Sequence, residues 1–329
     1  SITDDIHVAY RPEPLRYLVE GNVTIIVNEH DVVVVDGSGS PEAARQVIEH
    51  IRELTPNPVS VLINTHGHGD HTLGNQEYVS AFPGIQIVTH PGTRAYMTGT
   101  TPGRGIDYVR QIARNVESRI ANGMLEIDSL ERDPTPGNNL VVANLRQYYE
   151  HDIFARQRAY GEVELTPATM TIEGRLVLHR GAREIQILFI GAGDTQSDLV
   201  VYLPGDRLVA TGDMLVHPIP YGFSRQPLQW AKTLDSLATF DVDIMVPGHG
   251  DVLYDKSYLN HVRELLRQVR TQVTRGVGAG LDPDRVKDSV DLSDALELFA
   301  SDDPVLRYYF ITYFQQPNVA RTYNDVTSN

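Results

Sequence analysis

The sequence predicts an α/β chain folded as a four-layer αββα sandwich, two facing β-sheets with helices on both outer sides. Three observations lead there. Short apolar runs cluster in two halves, one before residue 100 and one after residue 165, and each half closes on a helical pattern. Clusters of polar residues follow directly on several of those runs, where loops leave strand ends. The interval 100–165 and everything from 256 onward switch to a helical period, which adds a helical insertion and C-terminal helices. We expect residues 1–255 to form the sandwich domain, with 100–165 as a lid or substrate wall, and 256–329 to pack on that same domain.

Taken in order, Tyr17-Leu18-Val19, Val23–Val27 and Val32–Val35 read as short strands, with Gly21-Asn22 and Asn28–Asp31 as the turns between them. Asp36 ends the last one, where closing the strand is its expected part. Ser40-Pro41 opens a helix with proline in its first turn, and Ala44, Val47, Ile48 and Ile51 share its apolar face. Val59–Ile63 and Ile85–Val88 are further strands; His90 follows the second and is expected at most to support the neighbouring site. In the insertion two helical patterns, 105–127 and 142–160, flank the loop DPTPGNN. Tyr148, Tyr149 and Phe154 would line a wall there, or else fill the space between helices.

The second half supplies strands at Met170–Ile172, Leu176–Leu178, Ile185–Ile190, Leu199–Leu203 and Leu208–Ala210, with Pro204-Gly205-Asp206 as a turn. A helix over Trp230–Phe240 precedes the strand Ile244–Val246, which feeds Pro247-Gly248-His249-Gly250. Beyond 256 the apolar period is helical, and the aromatic stripe of PVLRYYFITYF suits core packing or contact with a second copy. His7, His30, His50 and His261 read as surface residues.

The chemistry concentrates in VLINTHGHGDHTLGN, residues 61–75. A buried strand delivers a loop with His66, His68, Asp70 and His71 inside six residues, separated by Gly67 and Gly69, which let the backbone turn tightly. Imidazole and carboxylate suit zinc and neighbouring transition metals. An extended loop cannot aim four such groups at one ion, so two adjacent ions are expected, His66 and His68 on one, Asp70 and His71 on the other. A solvated polar loop is the alternative, but 3 of the 12 histidines fall in this single post-strand loop, which favours a metal site.

Composition narrows the function class. With 41% hydrophobic and 22% charged residues in 329, a packed core is expected rather than disorder. The net charge of -15 and the lack of a Lys/Arg run argue against a nucleic-acid partner. No apolar run approaches the ~20 residues a membrane span requires, so no membrane partner is expected. The absence of cysteine removes disulfides, thiolate ligands and thiol nucleophiles together. The chain starts at Ser1 rather than Met, which fits a removed leader and a periplasmic or secreted protein, or equally a trimmed chain.

At Thr65–His71 the sequence resembles the metallo-β-lactamase superfamily, whose signature is T-H-x-H-x-D-H after a strand. The resemblance covers most of residues 7–255 and includes the opening hairpin, T-G-D-M-L and the late Gly-His-Gly. It implies that Asp213 is the carboxylate bridging both metals and that His249 is the last histidine on the second. One loop departs. Where the family usually has histidine, then Thr and a later Asp, this chain reads Gly193-Asp194-Thr195-Gln196-Ser197-Asp198. The first ion would then take His66, His68, Asp194 and Asp213, and the second Asp70, His71, His249 and Asp213. A carboxylate hardens the first site, so manganese and iron compete there with zinc. The family's interval between first loop and next ligand is commonly shorter, which is why 100–165 reads as an insertion.

The resemblance implies a dinuclear metal-dependent hydrolase acting on a small molecule, with a metal-bridging hydroxide attacking an amide or ester bond. β-Lactam opening is the first activity expected, lactone or other ester hydrolysis the second. A metal-binding protein of low activity, its first site weakened by Asp194, is a third. Asp70 and Asp213 would be catalytic through the metals. His217 and Tyr221 would donate hydrogen bonds to substrate, and Arg225 would meet a substrate carboxylate. A homo-oligomer through the C-terminal helices is also expected.

Overall fold

The structure is a computed structural model that describes residues 1–11, 20–99, 105–133, 135, 137–222 and 226–328. Two sheets organise it. In the first, β1 (Ile6–Ala9), β2 (Val23–Val27), β3 (Val32–Val35), β4 (Val59–Ile63), β5 (Gln86–Thr89) and β6 (Met170–Thr171) lie side by side in chain order. β1 to β3 pair antiparallel and β3 to β6 parallel. The second sheet holds β7 (Arg175–Arg180), β8 (Arg183–Phe189), β9 (Leu199–Leu203), β10 (Leu208–Val216) and β11 (Ile244–His249), antiparallel except for β10 and β11.

The period of two along each strand explains the layers. Val33 and Val35 point inward with Ile26, Val61 and Ile63, and meet Ile187, Leu199, Val201 and Ala210 of the second sheet. Val32 and Val34 point outward onto α1 (Pro41–Leu54), against its Ala44, Ile48 and Ile51. Because both of its faces are buried, β3 reads as unbroken valine rather than as alternation. α1 starts where the sequence predicts, with Ser40 Oγ accepting from the amide of Ala43 at 3.2 Å.

Between the first-sheet strands lie α2 (Gly69–Thr72), α3 (Asn75–Ala81) and α4 (Pro91–Thr98). The insertion is more segmented than the two helices expected from sequence. It comprises α5 (Gly105–Arg114), α6 (Val116–Arg132), α7 (Asn138–Gln147), a π-helical turn (Tyr148–Asp152) and α8 (Ile153–Gly161). The fourth layer is α9 (Pro227–Leu237), then α10 (Ser257–Gly278), α11 (Pro283–Ser289), α12 (Ser293–Ala300), α13 (Pro304–Tyr309), a second π-helical turn (Phe310–Gln315) and α14 (Gln316–Thr327). Trp230, Leu234, Leu259, Val262 and Val269 bury themselves against Val200, Val209, Met214 and Met245 on the outer face of the second sheet. Each such side chain contributes about 1.5–3 kcal/mol by burial. The C-terminal helices therefore share one hydrophobic cluster with the second sheet.

Several details differ from the sequence reading. The strand expected at Tyr17–Val19 lies outside the described residues; among the described strands, β1 at Ile6–Ala9, not expected from sequence, forms one edge of the first sheet. Met170–Thr171 does not begin the second sheet. It completes the first, beside β5, whose parallel edge it covers. β10 continues six residues past Ala210, so Asp213 sits within an irregular strand rather than on a loop after one. Phe310 and Phe314 of the aromatic stripe are fully buried, which assigns them to the core. Tyr149 packs over Gly123 of α6, while Phe154 is exposed and fills no interhelical space. His30, His50 and His261 are exposed and His7 half-buried, in line with their surface reading.

Candidate metal centre

Seven donor side chains converge where the C-terminal ends of the strands meet. β4 ends at Ile63 and delivers His66, fully buried, and His68; the single turn of α2 then presents Asp70 and His71, whose ring lies 4.4 Å from that of His66. The loop is held by a reciprocal amide pair, with Asn64 and Asn75 each donating to the other at 3.2 and 2.8 Å. The second sheet contributes Asp194 from the β8–β9 loop, Asp213 from within β10 and His249 from the end of β11.

The donors fall into two groups that share Asp213: His66, His68, Asp194 and Asp213, and Asp70, His71, Asp213 and His249. Asp213 turns Oδ2 to His66 Nε2 at 3.7 Å and Oδ1 to His71 Nε2 and His249 Nε2 at 3.2 and 3.4 Å. Asp194 Oδ2 lies 2.8 Å from His68 Nδ1 and 3.9 Å from His66 Nε2. Asp70 Oδ2 lies 3.0 Å from His249 Nε2 and 3.5 Å from His71 Nε2.

These separations fit ions. Four donors held tetrahedrally at ~2.0–2.1 Å from a zinc lie roughly 3.3 Å from one another. His66 Nε2 is buried without a hydrogen-bond partner among the described residues, at distances from both carboxylates that are too long for hydrogen bonds. His71 Nε2 and His249 Nε2 face each other at 3.3 Å, an arrangement two N–H groups avoid and two lone pairs on one cation adopt. The donor set of imidazole nitrogen and carboxylate oxygen is the one zinc, manganese and iron accept.

Behind the donors stands a layer of residues that fixes their orientation. Asp36 Oδ2 lies 2.9 Å from His71 Nδ1, and Asp36 Oδ1 accepts from the Thr65 amide at 2.8 Å. A carboxylate there sets the tautomer, leaving Nε2 free for an ion. Thr65 Oγ1 stands 3.0 Å from His66 Nδ1 and also donates to Asp36. Asp198 accepts from the amides of Asp194 and Thr195 at 3.1 and 2.7 Å, which pins the loop that presents Asp194. Gly21-Asn22 links the two sheets' loops. Gly21 donates to Asp70 O, and a Cβ there would stand 2.3 Å from the His71 ring; Asn22 Nδ2 donates to Pro247 O and Gly250 O on either side of His249.

In the metal-free chain these carboxylates hold protons on the histidines. Burial would depress His68, but Asp194 at hydrogen-bonding distance overrides it and pushes the imidazole up to about 9. Burial opposes and Asp213 likewise raises His249, to about 10, and His71 is driven well up by Asp213, Asp70 and Asp36. His66 alone falls, to about 4, because burial and the neighbouring charge of His71 dominate. The sign follows directly: histidines raised on folding contribute stability that is complete below their unfolded value of about 6.5 and is lost as pH rises through about 9 to 10. We therefore expect the melting temperature of the metal-stripped protein to fall between pH 7 and 10. The metal-loaded protein, with ions in place of those protons, should hold its melting temperature over the same range. Parallel curves for the two forms would contradict the assignment.

The other residues singled out from sequence are placed differently. His90 caps α4, accepting from the Gly92 amide at 3.0 Å, and its ring packs on Phe189, so it supports a helix rather than a donor. His217 is half-buried with its ring edge-on to Tyr258, and its amide donates to His249 O. Tyr221 stands edge-on to Tyr313 of the C-terminal helices. Arg225 lies outside the described residues, as do both prolines of the DPTPGNN loop. The insertion reaches the centre through α5 and α8: Leu73, just after the donor loop, clusters with Val109, Ala159 and Tyr160. A cavity of about 20 Å³ opens between Gly67 and Gly69 on one side and Tyr96, Val109 and Leu165 on the other. Asp36, Gly21 and Asn22 were not anticipated in these orienting roles, because the partners that define them lie far along the chain.

The family model of the metallo-beta-lactamase superfamily matches residues 16–249. A linear primary-alkylsulfatase of Pseudomonas sp. is 24% identical over 294 residues, which is 85% of this chain and 51% of that protein. This chain thus spans about half the length of that relative. Among solved structures, the stereoselective inverting sec-alkylsulfatase Pisa1 from Pseudomonas sp. matches with a TM-score of 0.68 at 16% identity, over 99% of this chain and 49% of that chain. A metallo-beta-lactamase from Pontibacter korlensis matches with a TM-score of 0.53 at 18% identity, over 81% of this chain and 97% of that chain.

Proposed function

Since the chain belongs to the metallo-β-lactamase superfamily, we propose that it is a hydrolase holding two divalent ions and that its substrate is an alkyl sulfate ester. The observation that carries the dinuclear reading is Asp213, whose two oxygens face two separate donor groups. The 24% identity with a linear primary-alkylsulfatase over most of this chain supports the substrate class and moves β-lactam opening from first place to second. Zinc is the ion we would try first, with manganese and iron next because Asp194 adds an oxygen donor.

Each residue then has a defined task. His66, His68, Asp194 and Asp213 would hold one ion, and Asp70, His71, His249 and Asp213 the other. Divalent ions in such a centre supply Lewis acidity and make water acidic enough to act at neutral pH. Asp36 keeps the His71 proton on Nδ1, so that Nε2 faces the centre. Asp198 holds the Asp194 loop in register through two backbone amides. His217 and Tyr221 are proposed as hydrogen-bond donors to the ester, and the insertion, through α5 and beside Tyr96 of α4, as the wall that shapes substrate choice.

The test combines metal analysis with a substrate panel of alkyl sulfates, β-lactams, lactones and phosphoesters. We expect close to two transition-metal ions per chain, sulfate release from alkyl sulfates as the fastest reaction, and loss of turnover on chelation that added metal restores. Retention of a single ion would remove Asp194 from the donor set. Turnover confined to β-lactams or lactones would relocate the substrate class, and two bound ions with no turnover would favour a metal-binding role.

A further inference from the structure

On the opposite side of the second sheet, α9, α10 and α14 pack on one another and leave a cavity of about 110 Å³ between them. Its lining is unusual for this chain. Four cations, Lys232 from α9 and Arg263, Arg267 and Arg270 from α10, stand around it with one carboxylate, Asp235, in a protein whose net charge is -15. The three arginines recur at intervals of four and three residues, so the helical period puts them on one face. Asp235 Oδ1 pairs with Arg263 at 2.5 and 2.8 Å and with Arg267 at 3.4 Å; Arg267 also reaches Glu264 at 3.7 Å. Lys232 and Arg270 have no carboxylate partner among the described residues. Apart from Thr322 the remainder of the lining is apolar, Leu228 and Leu266 among it.

We propose that this groove is a binding site, separate from the metal centre, for a small amphiphilic anion: a single sulfonate-, sulfate- or carboxylate-type head on a hydrocarbon stem. Lys232 and Arg270, the two lining cations without a carboxylate partner among the described residues, would take the head. Leu228 and Leu266 would take the first carbons of the stem. A volume near 110 Å³ admits a head group and a short stretch of chain, well below the ~300 Å³ at which pockets for drug-sized ligands begin. An extended polyanion is a poor match, since acidic residues dominate the chain as a whole and would repel its further charges.

The experiment titrates the metal-loaded full chain with octanesulfonate and octanoate, which distinguish the two head chemistries, and with inorganic sulfate and octanol as half-ligands. Calorimetry is run on the wild type, on the Lys232→Glu/Arg270→Glu double variant and on Asp235→Asn. Both amphiphilic anions should bind the wild type, more weakly as salt increases. The double variant should weaken that binding roughly tenfold while leaving turnover at the metal centre unchanged. Asp235→Asn should tighten it, because two arginines lose their carboxylate; a merely structural ion pair would give no such gain. Sulfate and octanol should each bind far more weakly. The proposal is overturned if the wild type binds neither amphiphile, if the double variant binds them equally well, or if Asp235→Asn weakens binding. Sulfate binding as tightly as octanesulfonate would also overturn it, since the stem would then contribute nothing.

Discussion

If the centre holds two ions as proposed, Asp213→Ala should leave the protein folded but strip it of both ions and of nearly all hydrolytic turnover. Among the described residues Asp213 is the only donor common to both groups, and its two oxygens face the two groups separately. The three residues left in each group still have the chemistry to bind an ion, so partial occupancy is expected, but the spacing of the two ions would no longer be fixed by a shared carboxylate. Removing partners that merely orient a metal ligand typically costs 10–100-fold, and the loss here should exceed that. The fold should tolerate the change, because the histidines beside Asp213 shed their protons once its charge is gone. Elemental analysis, turnover and a melting curve on the same preparation decide the matter. Two ions retained with turnover within tenfold of wild type would refute the shared-donor reading.

Gly248→Ala should be among the most damaging alanine substitutions at the described glycines. A Cβ at this position would stand 1.9 Å from Asp213 Oδ1 and 2.7 Å from both the Asp213 amide nitrogen and the Gly212 carbonyl carbon. Two of those three atoms are backbone of the paired strand, so β10 and β11 must part for the methyl to enter. Overpacking of this kind costs about 1–3 kcal/mol or more, and here the displaced strand carries Asp213 while the substituted one carries His249. Both stability and metal content should fall together. Gly205→Ala, in a turn with nothing within 4 Å of the added atom, is the matched control and should change stability by no more than about 0.5 kcal/mol. A Gly248→Ala protein that melts like the control and keeps its ions would show that the strands separate more freely than this geometry implies.

The sequence disclosed what was locally dense. Val32–Val35 is readable as a strand because burial on both faces leaves an uninterrupted apolar run, Val59–Ile63 because only Ser60 interrupts its run, and α1 because its apolar face and Ser40-Pro41 start agree. His66, His68, Asp70 and His71 could be singled out because four donors within six residues have no easy packing role. Asp194, Asp213 and His249 came instead from the family resemblance, one donor to a segment. What escaped was written across distance. β6 has only two residues, too few to show any period, so its pairing with β5 could not be read. The orienting contacts of Asn22 join residues 225 and 228 positions apart, and Asp36 meets His71 across 35. No local pattern encodes such pairs. The insertion is more segmented than its apolar period suggests for a related reason: a break at Asn115 divides the first expected helix and the π-helical turn Tyr148–Asp152 the second.

Four of the seven donors descend from the first sheet and three from the second, so neither sheet can form either four-donor group alone. An ion seated in either group is consequently a cross-link between segments remote in sequence, closing a chain loop as a disulfide would in a protein that has no cysteine to make one. Separating the sheets would release any ions so held, and if the sheets dock before the ions bind, folding gains little from them. Metal should therefore slow unfolding far more than it speeds folding, so a chelator would act on this protein as a solvent for its longest loops, shortening the lifetime of the native state at a temperature where the equilibrium still favours it.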